Sequence, residues 1–541
     1  MYNNKINCKN VFTKILKFIL LAFVSLFITT FFSSVVLHEY ENLSCDQACF
    51  YLIGKGILAG KVPYVDFYDN KGPLTYLIYS LLSLIGNFRI AIFAGQAILV
   101  FFTILILKAY IKEIGIKRNS LCYIALFFIC YVFVCKDAGL YTEDIALPLI
   151  LLSILEAAII FKNYEAETKQ KKLIFSYAIL SVLFWLVALI RLNNAIIIAG
   201  LLFSVGIIML IKKDFKSFGI LVLSFIATGI IVCAPVFLWL IKNNALYECI
   251  YQSFLINFQY TDALAAVSPK KIFLTKNLYS SVFYILIFIG LLSLLFTMIK
   301  NKRNVFLRRL SFAMIIALIL SIVAISTISA PAWHYLTPIV GVFYASLLLA
   351  CSTIQCDFIN KSKINDKKNN LISFSITALL SIVIILSIFV ITFVSISYRH
   401  PDDTYEKLFN INTIKNHYSL VDSDYKKSAN YIASYIPEED KDSVFGLDIE
   451  PRFYVYNDIY PCERIFICRH IFTYINDDLH DEYLSYFNED APKWLISNIE
   501  LNALEDKELV AVLDNQYELV AADYNYEYKS NSFYLYKLIE D

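Results

Sequence analysis

Asp46, Asp66, Asp69 and Lys71 fall within one short stretch, Glu41 to Tyr76, which reads ENLSCDQACFYLIGKGILAGKVPYVDFYDNKGPLTY. A carboxylate in such a set can take a proton from a hydroxyl. An ammonium can stabilise an anionic leaving group. The stretch lies between two long apolar runs and also carries Glu41, Lys55 and Lys61. Each such charge would cost roughly 2.5–3.5 kcal/mol at a bilayer centre, so the segment belongs outside the hydrocarbon. Phe50, Tyr51, Leu52, Ile53, Ile57 and Leu58 predict a helix lying along a membrane surface, with its apolar groups on one side. Acids and a lysine held at a water–lipid boundary suit chemistry on a lipid-carried substrate.

The elements that must position these residues are membrane spans. The chain has 541 residues, 58% of them hydrophobic, and a mean hydropathy of +0.61. That exceeds the roughly 45–50% apolar content of soluble domains. A net charge of +1 excludes an electrostatic nucleic-acid binder. A span needs about 20 apolar residues, which gives about eleven: 13–37, 88–111, 119–135, 142–161, 173–190, 193–211, 217–241, 277–299, 308–329, 335–353 and 371–397. Lys5, Lys9, Lys14 and Lys17 precede the first run, which is too long for a signal peptide and lacks an A-x-A site. It reads as an uncleaved first span.

Orientation follows from the basic loops. Lys112, Lys117 and Arg118; Lys162, Lys169, Lys171 and Lys172; Lys212, Lys213 and Lys216; Lys300, Lys302, Arg303, Arg308 and Arg309; and Lys361, Lys363, Lys367 and Lys368 fall in every second connection. With the basic N-terminus, these face the cytoplasm. The 41–76 stretch, the 136–144 turn, the turn at Arg191, the 242–276 loop, the 330–336 turn and the tail from about residue 400 then face outward.

The outward turns hold the remaining candidates. Glu143 and Asp144 run straight into IALPLILL at the apolar edge, which calls for a paired charge or a water-filled cavity. Arg191 stands alone on the side where positive charge is rare, which calls for a ligand or a carboxylate partner. Asn257 and Tyr260 lie in an aromatic, amphipathic loop expected to form a second surface helix. His334 and Tyr335 sit at a span end. The tail, 400–541, predicts a small α/β domain: helices at Tyr425–Ile436, Asp478–Phe487 and Leu501–Leu513, and strands at Ser443–Leu447, Trp494–Ser497, Tyr517–Ala522 and Ser532–Leu538. It contains no phosphate loop, zinc spacing or nucleophile elbow. Cys45 and Cys49 share a helix face, open to a disulfide or a metal, but no His or further Cys completes a tetrahedral set nearby.

The order of Asp46, Gly60, Pro63-Tyr64, Asp66, Asp69, Lys71, Gly72 and Pro73 resembles the first outward loop of the GT-C superfamily of lipid-dependent glycosyltransferases. The branch it is most similar to holds the protein mannosyltransferase and aminoarabinose transferase relatives. Thr142-Glu143, Arg191-Leu192-Asn193 and His334-Tyr335 extend the likeness, as does the outward soluble tail. The resemblance implies inverting transfer of a sugar from a polyprenyl-phosphate donor outside the cytoplasm. It makes Asp46 the catalytic position and Lys71 the residue that meets the lipid phosphate. Where the family often has Asp-Glu, this chain has Asp46-Gln47, which favours a metal-free reaction.

Elementary chemistry agrees. Asp46 can serve as the base, and Lys71 with Arg191 or His334 can hold the departing phosphate. Asp66, Asp69, Tyr64, Glu143, Asn257 and Tyr335 are expected to line the substrate site. No cofactor is expected; a divalent cation held by acids such as Asp66 and Glu143 is the alternative. The expected partners are the lipid-linked donor, a glycan, lipid or protein acceptor, and the plasma membrane, with no nucleic acid. The chain is read as a transmembrane module, 1–399, followed by the soluble domain, 400–541. The competing reading is a transporter or flippase for a lipid-linked sugar, but that class shows inverted repeats and midplane charges, and neither is visible.

Overall fold

The computed structural model describes residues 8–32, 45–116, 120–134, 139–166, 170–256, 278–302, 304–326, 333–361, 424–447, 449–467, 476–488, 491–504, 506–513, 515–524 and 532–539. In chain order the helices are α1 (Cys8–Phe32), α2 (Cys45–Leu58), α3 (Pro73–Ser83), α4 (Phe88–Glu113), α5 (Ser120–Val134), α6 (Thr142–Glu165), α7 (Gln170–Ile190), α8 (Leu192–Ile211) and α9 (Phe215–Lys242). They continue with α10 (Leu246–Ile250), extended by a π turn at Tyr251–Leu255, then α11 (Leu278–Lys300), α12 (Val305–Ser326) and α13 (Thr337–Lys361). The tail adds α14 (Asp424–Ala433), β1 (Val444–Leu447), α15 (Arg452–Asn457), α16 (Asp477–Ser485), β2 (Trp494–Ser497), α17 (Lys507–Leu513), β3 (Tyr517–Asp523) and β4 (Phe533–Leu538).

Eight helices among the described residues are long and apolar enough to cross a membrane. The chain is a multi-pass helical membrane protein with a small sheet domain near its C-terminus. The runs expected at 13–37 and 119–135 correspond to α1 and α5, whose described apolar stretches, Ile15–Thr30 and Ser120–Tyr131, are shorter. The run at 371–397 lies outside the described residues.

The chain divides into two compact units. The first, 1–36, 93–234 and 271–414, is a helix bundle. Its centre is α6, which touches α7, α8, α12 and α13. The apolar windows of α6 and α13 are each 83% buried, against 22% for α9, so α6 and α13 lie inside the bundle and α9 at its periphery. Small residues let the backbones close up. A Cβ added at Gly200 of α8 would lie 2.9 Å from the Ala317 Cα of α12. Ser204, Ser311, Ser321 and Ser346 are buried and bond back to the carbonyl four residues earlier, so none needs water.

The second unit, 37–92, 235–270 and 415–541, brings the first polar stretch and the tail together. The four strands form one sheet in the order β1-β2-β4-β3, with β1 and β2 parallel and the other pairs antiparallel. Helix α2 forms where expected, but its burial differs from expectation. Residues 47–54 are buried around its whole circumference, rather than along one apolar stripe. Helix α3 covers one side and α15 of the tail another. A helix roofed by protein on several sides needs no polar face.

The α2–α3 contact is close enough to predict its failure. A Cβ at Gly54 would meet the Ser80 nitrogen and the Tyr79 carbonyl carbon at 2.6 Å. Both are backbone atoms and cannot rotate away. Gly54→Ala should therefore cost about 1–3 kcal/mol through overpacking, read as a lower thermal midpoint in detergent. An unchanged midpoint would show that the two helices are not this close.

Candidate functional site

Two clusters of polar residues stand out, one in each unit, and each is described by itself. In the second unit the chain leaves α2 through Gly60 and turns at Tyr64. Pro73 starts α3, where its missing N–H costs nothing. Tyr64 is fully buried with φ of 71°, a conformation that bulky residues hold only when their surroundings impose it. Its carbonyl accepts from Gln252 Nε2 at 2.8 Å, and its hydroxyl donates to the Lys71 carbonyl at 2.8 Å.

That turn delivers Asp69 and Lys71 to one place. Asp69 is 4% exposed. Its carboxylate accepts from the Tyr76 hydroxyl at 2.7 Å and the Asn70 amide at 2.7 Å, and the Cys49 thiol lies at 3.9 Å. The Lys71 ammonium is 3.6 Å from Asp69 Oδ1, beyond hydrogen-bond range. It donates to Asn70 Oδ1 at 2.7 Å and sits 5.4 Å over the Phe50 ring. Burial, then the Asp69 charge, holds Tyr76 well above the ordinary phenol range, so it stays an O–H donor. Burial and Asp69 likewise push the Cys49 thiol up, with Cys45 and Asp46 adding to the effect and Lys71 opposing it. The charges of Asp46, Asp69 and Lys71 therefore all reach one thiol. Cys45, Cys49 and Cys462 form no disulfide among the described residues.

Asp46 lies in the first turn of α2, where an acid complements the helix dipole. It is half-buried, and no described residue hydrogen-bonds its carboxylate. Asp66 closes the preceding turn by accepting from the Val62 amide.

In the first unit, α6 opens with Thr142, Glu143 and Asp144. Asp144 reaches back to the Tyr141 amide at 3.1 Å and the Gly139 amide at 2.9 Å, and accepts from the Tyr131 hydroxyl. It thereby fixes the helix start. Leu140, at φ of 64°, gives its amide to Gln96 Oε1 at 2.9 Å. Glu143, 1% exposed, accepts from Arg191 Nη1 at 2.6 Å and from the Thr142 hydroxyl at 2.8 Å. Arg191 stands at the N-cap of α8, with its guanidinium 4.7 Å over the Tyr335 ring. His334 stacks on Tyr141 at 4.5 Å and touches Tyr335 edge-on.

Of the residues singled out in the sequence, the structure brings Tyr64, Asp69 and Lys71 into one network, and Glu143, Arg191, His334 and Tyr335 into another. The lone arginine has the carboxylate partner its position called for. The carboxylate nearest the Lys71 ammonium among the described contacts is Asp69, at 3.6 Å. Asn257 and Tyr260 lie outside the described residues, as does the rest of the second surface helix expected there. Sequence reasoning gave no role to Tyr76, Asn70, Gln252 or Tyr141. Tyr76 closes the DNKGPLTY run, so its place beside Asp69 and Lys71 had a local signal. Gln252 sits in an aromatic loop with nothing local to mark it.

No family model and no curated protein matches the chain. Solved structures do. The apo oligosaccharyltransferase of Archaeoglobus fulgidus superposes with a TM-score of 0.53 at 12% identity, over 93% of this chain and 73% of that one. ArnT from Cupriavidus metallidurans bound to undecaprenyl phosphate gives 0.53 at 10% identity, over 97% and 98%. Its apo state gives 0.52 at 11% identity, over 97% and 98%. At such identities the likeness is one of fold: this chain shares its fold with the Archaeoglobus oligosaccharyltransferase and with ArnT.

Proposed function

We propose that the chain is an inverting glycosyltransferase, moving a sugar from a polyprenyl-phosphate donor to an acceptor hydroxyl on the extracytoplasmic face of the plasma membrane. The observation that carries the reading is the contrast between two aspartates of one helical hairpin. Asp69 already accepts from the Tyr76 hydroxyl and the Asn70 amide, with the Lys71 ammonium 3.6 Å away. Asp46, half-buried and without a hydrogen bond from any described residue, keeps its lone pairs for an incoming hydroxyl. Lys71 supplies the positive charge that a departing lipid phosphate needs. Shared fold with ArnT, whose structure was solved with undecaprenyl phosphate, supports the donor class.

Sidedness draws on the bundle. Glu165 ends α6 among Lys212 and Arg309, residues of the basic connections assigned to the cytoplasm. Glu143 begins the same helix. At 1.5 Å per residue the two are about 33 Å apart, roughly one hydrocarbon thickness. This supports reading the Glu143–Arg191 cluster as outward-facing; the cytoplasmic N-terminus is read from its own basic residues.

The reaction is read as metal-free because the acids considered for a cation are engaged: both Glu143 oxygens by Arg191 and Thr142, and one Asp66 oxygen by an amide. The test is reconstitution in liposomes with a labelled polyprenyl-phosphate sugar, with and without chelator. Lys71→Ala should weaken donor binding about ten- to a hundredfold, the weight of a charge-assisted hydrogen bond. Unchanged affinity removes Lys71 from the donor site. Donor crossing the bilayer without transfer would make the chain a flippase.

A further inference from the structure

The C-terminal domain reaches the turn that carries Asp69 and Lys71: the Tyr460 and Phe466 rings pack against Phe67, and Arg464 engages the backbone. Arg464 lies in the segment between α15 and α16. Its backbone carbonyl accepts the Tyr68 amide at 2.8 Å. Its Nη1 donates to the Tyr64 carbonyl at 3.4 Å and to Glu248 Oε2 at 3.2 Å. Its guanidinium lies 5.6 Å from the Tyr68 ring centre. Glu482 of α16 grips the same guanidinium with both oxygens, to Nε and Nη2, each at 2.5 Å. This is the forked geometry in which an arginine is held most firmly. The Glu482 bonds raise Arg464 above its ordinary value. Burial works against Glu482, but the hydrogen bonds from Arg464 and Tyr486, together with the Arg464 charge, outweigh it and lower the Glu482 carboxyl.

Gln252 completes the network. It is fully buried. Its Nε2 donates to the Tyr64 carbonyl at 2.8 Å and to Glu248 Oε2 at 3.0 Å, while its Oε1 accepts the Asp69 amide at 3.2 Å. Three segments distant in sequence thus meet on the backbone of Tyr64–Asp69. Tyr64, held in the left-handed region, passes the constraint to the Lys71 carbonyl through its hydroxyl.

We infer that Arg464 of the C-terminal domain is a positioning residue, clamping the Tyr64–Lys71 turn in the shape that presents Lys71. The domain is then a working part of the site. The clamp stands on geometry alone; its effect on donor binding rests on the donor-site reading above.

Two variants of the full chain in detergent test it, Arg464→Ala and Arg464→Lys. The lysine keeps a charge between Glu248 and Glu482 but cannot bridge both while reaching Tyr64. Hydrogen–deuterium exchange of residues 64–71 should accelerate by at least about tenfold in Arg464→Ala and by less in Arg464→Lys, with the amides of the four strands unchanged. Binding of undecaprenyl phosphate should weaken about fivefold or more in parallel. If the alanine variant also loosens the sheet, Arg464→Lys decides. Unchanged exchange over 64–71 in Arg464→Lys would overturn the inference. Faster exchange with unchanged lipid affinity would confirm the clamp and count against the donor-site reading.

Discussion

On the proposed reading, Asp46→Asn should leave the lipid donor bound and slow sugar transfer by about a hundred- to ten-thousandfold, the usual contribution of a positioned general base. The amide keeps the size and most of the polarity of the side chain but cannot accept a proton near neutral pH. The contrast with Asp69 makes the expectation specific. The Asp69 carboxylate already accepts from Tyr76 and Asn70, beside an ammonium, which leaves its oxygens less open to an incoming hydroxyl. Asp46 has no such commitments among the described residues. The measurement is single-turnover transfer alongside donor binding, in liposomes. A rate within about threefold of the unchanged protein would remove Asp46 from the chemistry. Equal loss of binding and rate would make it a ground-state contact instead.

The sequence carried much of the fold because its signals are local. Trp494–Ser497 is a strand with the bounds that its β-branched and aromatic run predicted. Helix starts at Pro73 and Leu192 follow from a proline at a first turn and an arginine between two apolar runs. Burial was not legible in the same way. Periodicity reports how apolar a face is, not what covers it, and α2 is covered by α15 from the far end of the chain.

The site divides likewise. That Arg191 and Glu143 each needed an opposite charge could be inferred from an ion at an apolar edge, and they have each other. The pairing of Lys71 with Asp69 depends on a left-handed backbone at Tyr64, which no propensity predicts for a buried tyrosine. Gln252 and Arg464 act through backbone atoms of a distant turn. Such contacts leave no local pattern.

The second large effect concerns the Glu143–Arg191 pair itself. Its carboxylate is 2% exposed and its guanidinium 17%. Two charges removed from water to this degree are held by each other, and truncating one strands the other. Arg191→Ala leaves Glu143 with the Thr142 hydroxyl as its remaining side-chain donor, and should cost about 3–5 kcal/mol of stability. It also removes the cation above Tyr335, whose neighbour His334 stacks on Tyr141. The double variant Glu143→Leu with Arg191→Met deletes both charges and should recover most of the loss, because apolar replacement of a whole buried pair is often neutral or better. Thermal denaturation of the four proteins in detergent closes the cycle. Near-additive losses would show that the two groups do not depend on each other, contrary to the 2.6 Å contact. Sugar transfer by the double variant then separates a functional role from a structural one. A protein that regains its stability but not its activity assigns the pair to the donor site, whereas regained activity confines it to holding the starts of α6 and α8.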